Sequence, residues 1–328
     1  MSLCTRRVLA AAVAVGVLAL AVPAGAQTKL KWAHVYETAE PYHTEALWAA
    51  EEIKKRTSGR YEIGVFAASQ LGNENQINEG LGLGTVDIIY TGTSFAGSIH
   101  KPLAISGAPF MLRDFNHWKA YRDGKLFRDI AKGYEDKTKH KIIALTYYGE
   151  RMVTANKEIR KPEDMKGMKL RVPPAPLYLM LTKSVGANAT PIAFAEVYLA
   201  LQQKTVDGQE NPLPTIMAKK FYEVQTHVML TGHITESLLT IVGTGVWAKL
   251  SDADKKVFEE VLAQAAAKAS DEIRASEQKI ADELRKLGKT VVMVDREAFR
   301  QAAVSLHNDA SAGAGWSRAE YDALQALK

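Results

Sequence analysis

The feature that most constrains the fold is a segment without proline or glycine that runs from Asp252 to Leu287, 36 residues of a 328-residue chain. As one α-helix it would be about 54 Å long. Ser251 and Asp254 form the pattern of an N-terminal capping box, and Gly288 is a typical helix stop. Because such a helix exceeds one domain, we expect it to brace two lobes. Two helices joined within residues 265–270 are the alternative.

The rest of the sequence predicts strands and helices that alternate along the chain. The predicted strands are Tyr61–Phe66, Val86–Tyr90, Lys141–Tyr147, Met168–Val172, Val206–Glu210 and Leu238–Val242. The predicted helices include Pro41–Lys55, Glu74–Leu83, Phe115–Tyr121, Ala175–Val185 and Phe194–Gln203. This alternation is typical of the α/β class with largely parallel sheets. A Thr-Val-Asp sequence that recurs at Thr85 and Thr205 indicates two similar lobes.

Residues 1–26 have the pattern of a secretory signal peptide, with two arginines, an apolar run over Val8–Val22 and small residues at the end. We predict cleavage after Ala26. A membrane anchor is the alternative, although this run is shorter than the ~20 residues that cross a bilayer. The paired arginines leave both general secretion and twin-arginine export open. The one cysteine, Cys4, lies in this segment, so the exported chain can have no disulfide or catalytic thiol.

Charge and motif content argue against nucleic acid, metals and cofactors. The chain has 42 basic and 37 acidic residues, and removal of the N-terminal segment leaves 40 and 37. Basic residues alternate with acidic ones and form no clustered face of the kind that binds phosphates. None of the eight histidines has metal-ligand spacing, and the sequence contains no nucleophile elbow, phosphate loop or dinucleotide-binding motif. We therefore expect no catalytic residue, cofactor or metal.

Two arginines and an asparagine fall at or near the ends of predicted strands. Arg151 follows the third predicted strand, Arg171 lies within the fourth and Asn211 follows the fifth. Ligands of open α/β sheets bind beyond the carboxyl ends of strands, and the planar fork of arginine matches a carboxylate. Most arginines on strands are solvated or salt-bridged, but Arg171 interrupts an apolar run and precedes two prolines. The pattern favours a carboxylate site.

The segments Lys166–Pro173, Ala189–Gln202 and Thr205–Leu213 read KGMKLRVP, ATPIAFAEVYLALQ and TVDGQENPL. They resemble the DctP-like solute-binding proteins of tripartite ATP-independent periplasmic (TRAP) transporters, and the similarity extends over the whole chain after residue 26. The resemblance implies the type II periplasmic-binding-protein fold, with two α/β lobes around a ligand cleft. Lobe one is expected at residues 27–148 and 237–276, and lobe two at 149–236 and 277–328.

The resemblance also implies roles for individual residues. Arg171 matches the arginine that forms a two-pronged salt bridge with the ligand carboxylate, Arg151 resembles a second arginine that reaches it, and Asn211 matches the asparagine that orients it. Pro174 stands where members of the sialic-acid type have an asparagine, which argues against a polyhydroxylated sugar acid. The other expected contacts are Phe194, against the ligand body, and Gln70 and Glu74, on lobe one. The tyrosines nearby, Tyr36, Tyr147 and Tyr148, and Trp32 are expected in the core or at the rim.

The resemblance thus implies a periplasmic receptor that captures a small organic acid, acts as a monomer and hands the acid to integral membrane subunits of a TRAP transporter. Two other classes stay open at this stage. A periplasmic enzyme would need a base near the arginines, for which Glu150 and Glu210 are the nearest candidates. A ligand-sensing module of a signalling receptor would share the pocket but meet a different partner.

Overall fold

A computed structural model describes residues 27–328, in which strands and helices alternate as expected. The strands are β1 (Thr28–Ala33), β2 (Tyr61–Phe66), β3 (Ile88–Gly92), β4 (Lys141–Ala155), β5 (Lys169–Val172), β6 (Asn188–Pro191), β7 (Gly208–Pro212), β8 (His227–Met229), β9 (Thr235–Val242) and β10 (Thr290–Val292). The predicted signal peptide and its cleavage site lie outside the described residues.

The helices are α1 (Pro41–Arg56), α2 (Glu74–Leu83), α3 (Thr93–Ala96), α4 (Phe115–Asp123), α5 (Lys125–Thr138), α6 (Leu179–Val185), α7 (Val197–Gln202), α8 (Leu213–Ala218), α9 (Phe221–Val224), α10 (Thr244–Trp247), α11 (Asp252–Lys286), α12 (Arg296–Val304) and α13 (Arg318–Gln325). Short 3-10 helices occur at Lys101–Gly107, Pro162–Met165, Pro176–Tyr178, Phe194–Glu196 and Ala310–Ala312. The helices predicted from residues 175 and 194 therefore each begin with a 3-10 turn.

The strands pair in the order β2-β1-β3-β9-β4-β7-β5-β6, and β8 joins β4 to β10. The prediction of largely parallel sheets is wrong in the middle of this order. There β9 runs antiparallel to both β3 and β4, and β4 runs antiparallel to β7 and β8. The outer pairs, such as β1–β2 and β5–β6, are parallel. The described residues thus form two α/β lobes, which share the strand β4.

Strand β4 corrects the prediction that a strand ends at Tyr147. It continues for 15 residues and pairs with β9 as far as Glu150, then with β7 from Arg151 onward. Gly149 allows this change of partner, because it sits at a register shift with a φ of 115°, which disfavours any side chain. A Cβ there would also lie 2.8 Å from the Cβ of Pro212. Arg151 therefore lies within a strand, and the residue bounds of the lobes stay a prediction.

The long segment forms one helix, α11, so the alternative of two helices is wrong. The Ser251 hydroxyl accepts a hydrogen bond from the Asp254 amide and caps its first turn. Side chains of α11 also fasten β4 where it changes partner. Ser270 Oγ accepts from the Tyr147 amide at 2.9 Å, and Glu277 accepts from the Tyr147 hydroxyl and the Glu150 amide. The helix packs against α1, β4, α8 and β10 and so braces both lobes.

Candidate binding cleft

A small cavity lies between the lobes, beyond the carboxyl ends of β1 and β3 and beside β5 and β7. Four of the six residues expected in the site line it: Arg171, Asn211, Phe194 and Glu74. The other lining residues are Val35, Tyr36, Gly92, Tyr148, Pro173, Tyr178, Glu236 and Leu238. The structure therefore brings together residues that lie far apart in sequence. It also places the cavity where the sheet topology predicts a ligand.

Arg171 is buried, and one edge of its guanidinium is fixed to the backbone. Its Nε and Nη2 donate to the carbonyl oxygen of Ile192 at 2.9 and 2.6 Å. Its Nη1 is buried and finds no hydrogen-bond partner among residues 27–328. Burial lowers the pKa of Arg171 to about 10, although Glu210 opposes the shift. A buried cation with an unused donor is costly, and among the described residues no carboxylate oxygen bonds to this guanidinium directly.

Arg151 differs from Arg171, because a carboxylate already pairs with it. Its Nη2 donates to Glu210 Oε1 and to the Glu210 carbonyl, each at 2.8 Å, and its Nε donates to Glu210 Oε2. Burial alone would raise the pKa of Glu210, but Arg151 and His233 outweigh it and lower that pKa to about 2. Arg151 does not line the cavity. Its direct contact with a ligand stays a prediction.

Asn211 contacts Arg151, the partner of Glu210, and also lines the cavity. Its Oδ1 accepts from Arg151 Nη2 at 3.3 Å and from the Tyr148 hydroxyl at 3.4 Å. Its Nδ2 donates to Gln209 Oε1 at 2.6 Å. An amide nitrogen carries two hydrogens, so one donor of Asn211 remains for a ligand. Arg151 thereby orients a side chain that lines the cavity.

Two buried carboxyl groups face this cavity, and sequence reasoning identified only one of them. Glu74, at the start of α2, accepts a 3.4 Å hydrogen bond from the Tyr36 hydroxyl. Burial raises its pKa to about 7, against the attraction of Arg171 and Arg151. Glu236, in β9, accepts from the Tyr178 hydroxyl at 2.9 Å, and burial raises its pKa too. Glu236 lies between Thr235 and Ser237, before the apolar run that begins at Leu238, so the sequence contains no clear signal for it.

Aromatic side chains form the walls of the cavity. Tyr36 has ring centroids of Tyr148 and Phe194 at 5.1 and 6.2 Å, and Tyr178 completes the set. Tyr36 and Tyr148 are thus cavity residues as well as part of the buried core. The Tyr147 ring, by contrast, turns to α11 and donates to Glu277. The aromatic walls can cover the carbon skeleton of a ligand and exclude water from its charged end.

The remaining predicted site residue, Gln70, is not brought to the cavity. It lies in the turn before α2, is exposed and does not line the cavity. Within residues 27–328, no cluster of histidine, cysteine, aspartate or glutamate is placed to hold a metal ion. In the same range, no helix has the length and apolar character needed to cross a bilayer.

Comparisons with known proteins agree with this geometry. Residues 32–312 match the family described as bacterial extracellular solute-binding protein, family 7. The sialic acid-binding periplasmic protein of Vibrio cholerae is 30% identical over 92% of this chain and 94% of its own length. A TRAP periplasmic solute-binding protein from Polaromonas sp. JS666, bound to D-erythronate, is 34% identical, with a TM-score of 0.85 over 92% of this chain and 99% of that chain.

A second TRAP structure, from Roseobacter denitrificans with bound L-galactonate, is 31% identical, with a TM-score of 0.84 over 91% of this chain and 98% of that chain. These relatives are solute-binding proteins and not enzymes. The family match spans most of the chain, and the cleft contains the arginine and asparagine on which the resemblance rests. The chain belongs to the family 7 bacterial extracellular solute-binding proteins, the periplasmic solute-binding proteins of TRAP transporters.

Proposed function

We propose that this protein is a periplasmic receptor that binds an organic acid through its carboxylate and delivers the acid to the membrane subunits of a TRAP transporter. The observation that carries the proposal is the Nη1 of Arg171, a buried donor without a partner in the described residues, at the wall of the cavity. Relatives support the same chemistry, because those with bound D-erythronate and L-galactonate hold carboxylic acids.

The hydrogen bonds of Arg171 define how it would hold the carboxylate. A guanidinium has five N–H donors, and the Ile192 carbonyl takes Nε–H and one hydrogen of Nη2. The remaining hydrogens lie on Nη1 and Nη2, which together form the end of the fork. A carboxylate can therefore bind end-on with two parallel hydrogen bonds, and Asn211 can donate to the same group.

Contacts that span the cleft support closure around the ligand. Lys219 of α8 pairs with Glu37, which follows β1, at 2.7 Å. On the other side, Asn75 of α2 donates to the Pro174 carbonyl at 3.4 Å. Closure removes water from the carboxylate and strengthens its charged hydrogen bonds. A closed receptor of this kind presents its cargo to a membrane partner without altering it.

The first test identifies the acid and then follows its transport. Protein purified under native conditions is denatured, and mass spectrometry identifies the released small molecule; we expect a carboxylic acid. Proteoliposomes that contain the TRAP membrane subunits should then accumulate this acid only when the receptor is added. A co-purified ligand without a carboxylate, or uptake that is independent of the receptor, would contradict the proposal.

Export is the second part of the proposal. The signal-peptide pattern of residues 1–26 and the periplasmic location of the family motivate a mature chain that begins at Gln27. N-terminal sequencing of the protein from the periplasmic fraction is the measurement. An intact Met1 in the soluble protein would refute cleavage after Ala26. Size-exclusion chromatography with light scattering tests the expected monomer.

A further inference from the structure

The cavity is lined by more acidic than basic side chains, although the proposed ligand is an anion. The pair of Arg151 and Glu210 is internally neutral, since each side chain satisfies the other. This leaves Arg171 as the one cation that lines the cavity, against two carboxyl groups, Glu74 and Glu236. A ligand carboxylate that binds Arg171 therefore enters a buried site whose opposite side is lined by two carboxyl groups, and this side carries negative charge above the pKa of Glu74, which burial raises to about 7. The part of the ligand beyond its carboxylate therefore has to be compatible with the carboxyl groups of Glu74 and Glu236.

Glu74 has unused capacity as a hydrogen-bond acceptor. Within residues 27–328, the only hydrogen bond to its carboxyl oxygens is the 3.4 Å contact from the Tyr36 hydroxyl. An ionised carboxylate offers about four lone-pair sites. Over the same residues, no nitrogen of Arg171 lies within 4.0 Å of a carboxylate oxygen, and the gap between Arg171 and Glu74 belongs to the cavity that both side chains line. A ligand that fills this gap meets a cation at one end and an acceptor at the other.

Glu236 adds to this acceptor side. Its Oε2 accepts from Tyr178 at 2.9 Å and lies 3.6 Å from Arg151 Nη1. Glu236 is thus partly compensated, and Glu74 is the less satisfied of the two. The Tyr36 and Tyr178 hydroxyls already donate to the carboxyl groups, so the described tyrosines leave few donors for a second ligand carboxylate.

We propose that Glu74, supported by Glu236, makes the cleft selective for monocarboxylic acids with a hydroxyl group on the carbon chain and rejects dicarboxylic acids. This inference rests on the proposed function and names its substrate class. A ligand hydroxyl donates to Glu74 while the ligand carboxylate is held by Arg171. An acid without a donor leaves the buried Glu74 carboxylate unpaired. A dicarboxylate places its second negative charge against Glu74 and Glu236, which is unfavourable in a buried site.

The test uses four-carbon acids that differ only in the relevant group: butanoate, 2-hydroxybutanoate, 3-hydroxybutanoate, succinate and 2-aminobutanoate. Calorimetry on ligand-free protein at pH 8, above the pKa of about 7 to which burial raises Glu74, gives the dissociation constant of each. We expect the better hydroxy acid to bind roughly 5- to 150-fold more tightly than butanoate, the range of one satisfied buried acceptor. Succinate should bind more weakly than butanoate. These ratios in the unmodified protein need no variant to fold.

Glu74→Gln then assigns the selectivity to this residue, because glutamine keeps the shape and an acceptor oxygen but removes the charge. This variant should reduce the ratio of affinities between the hydroxy acid and butanoate, and it should bind succinate more tightly than the unmodified protein does. Glu79→Gln is the matched control, since Glu79 lies on the same helix but is exposed. That variant should keep the ratios of the unmodified protein. A melting curve of each variant confirms that it is folded.

The outcomes separate this inference from the proposed function. Binding of several acids without a preference for a hydroxyl, or of succinate as tightly as the hydroxy acid, refutes the inference and leaves the carboxylate receptor standing. Tighter binding of 2-aminobutanoate than of either hydroxy acid also refutes it, because the donor would then be an ammonium group. Unchanged ratios in Glu74→Gln refute the role of Glu74. If no acid of the panel binds and the co-purified molecule has no carboxylate, the proposed function itself fails.

Discussion

Replacing Arg171 by alanine is expected to weaken binding of the cognate acid by about 30-fold to 4000-fold. The fork of Arg171 offers two charge-assisted hydrogen bonds, at about 1.5–3 kcal/mol each. Removing water from the carboxylate offsets part of that gain, which leaves about 2–5 kcal/mol for truncating one partner of a buried pair. At 1.4 kcal/mol per tenfold change, affinity falls by about 30- to 4000-fold.

Lysine at position 171 should recover only part of this loss. Arg171 donates to the Ile192 carbonyl with one edge of its guanidinium, which leaves the other edge for the ligand. A lysine ammonium keeps the charge but lacks the planar fork that makes both sets of contacts. Lys169→Ala is the matched control, because it removes a basic residue from the same strand that is exposed. Titration calorimetry with the co-purified acid compares the three variants, and unchanged affinity in Arg171→Ala would refute the site.

For Arg171→Ala we also make a second, independent prediction, which concerns the stability of the protein. Without ligand, Arg171 is a buried cation with an unsatisfied donor and a pKa lowered by burial to about 10. Its removal should therefore cost little stability in the ligand-free protein, since the charge is not compensated there. Urea unfolding of the ligand-free protein measures this. A large loss of stability would mean that Arg171 has a structural role and would undermine the interpretation of its affinity change.

Three further predictions follow from neighbouring groups. Arg151→Ala should destabilise the ligand-free protein by about 3–5 kcal/mol in urea unfolding, because it removes the cation that pairs with the buried Glu210 carboxylate and leaves His233 as its remaining side-chain partner. The raised pKa of Glu74, about 7 through burial, means that the native state holds this proton more tightly than the unfolded state, so its contribution to stability falls as pH rises from about 4.5 to 7. Glu74→Gln should thus gain stability over the unmodified protein across that range, by about 3 kcal/mol above pH 7. Lys219→Ala should weaken ligand affinity about 2- to 5-fold through loss of the Glu37 pair, and small-angle scattering should detect less complete closure with ligand.

Elements with strong local signals could be predicted from sequence. Strand β2 and helix α2 have the predicted bounds, and α2 has a capping box at Asn73 and a left-handed stop at Gly84. Those interactions involve residues within a few positions of each other. The continuation of β4 could not be predicted in this way. Gly149 is a local signal for a strand end, but in the structure it forms a bulge in the pairing with β9, and pairing with the distant β7 continues the strand beyond it.

The same distinction between local signals and long-range pairing applies to the candidate site. The position of Arg171 at the cavity was predictable, because a cation inside an apolar strand is costly unless it has a counter-charge. The role of Arg151 was not, because its partner Glu210 is fixed by register. In the β4–β7 pair Glu210 lies opposite Val153, which places it diagonally from Arg151 on the same face. Sequence reasoning expected Glu210 near the arginines, but a separation of 59 residues does not show which arginine it pairs with.

The difference between the two arginines has a consequence for closure. Arg151 already pairs with a carboxylate without a ligand, so we expect it to hold Asn211 in place whether or not a ligand is bound. Arg171, on the β5 side, is expected to gain a directly bonded counter-charge from the ligand, whereas Glu74 approaches from α2 on the other lobe. A ligand shifts an open–closed equilibrium only by its differential affinity for the closed state. Because only closure brings Arg171 and Glu74 to the two ends of one molecule, an acid that satisfies both favours closure more than an acid that satisfies Arg171 alone.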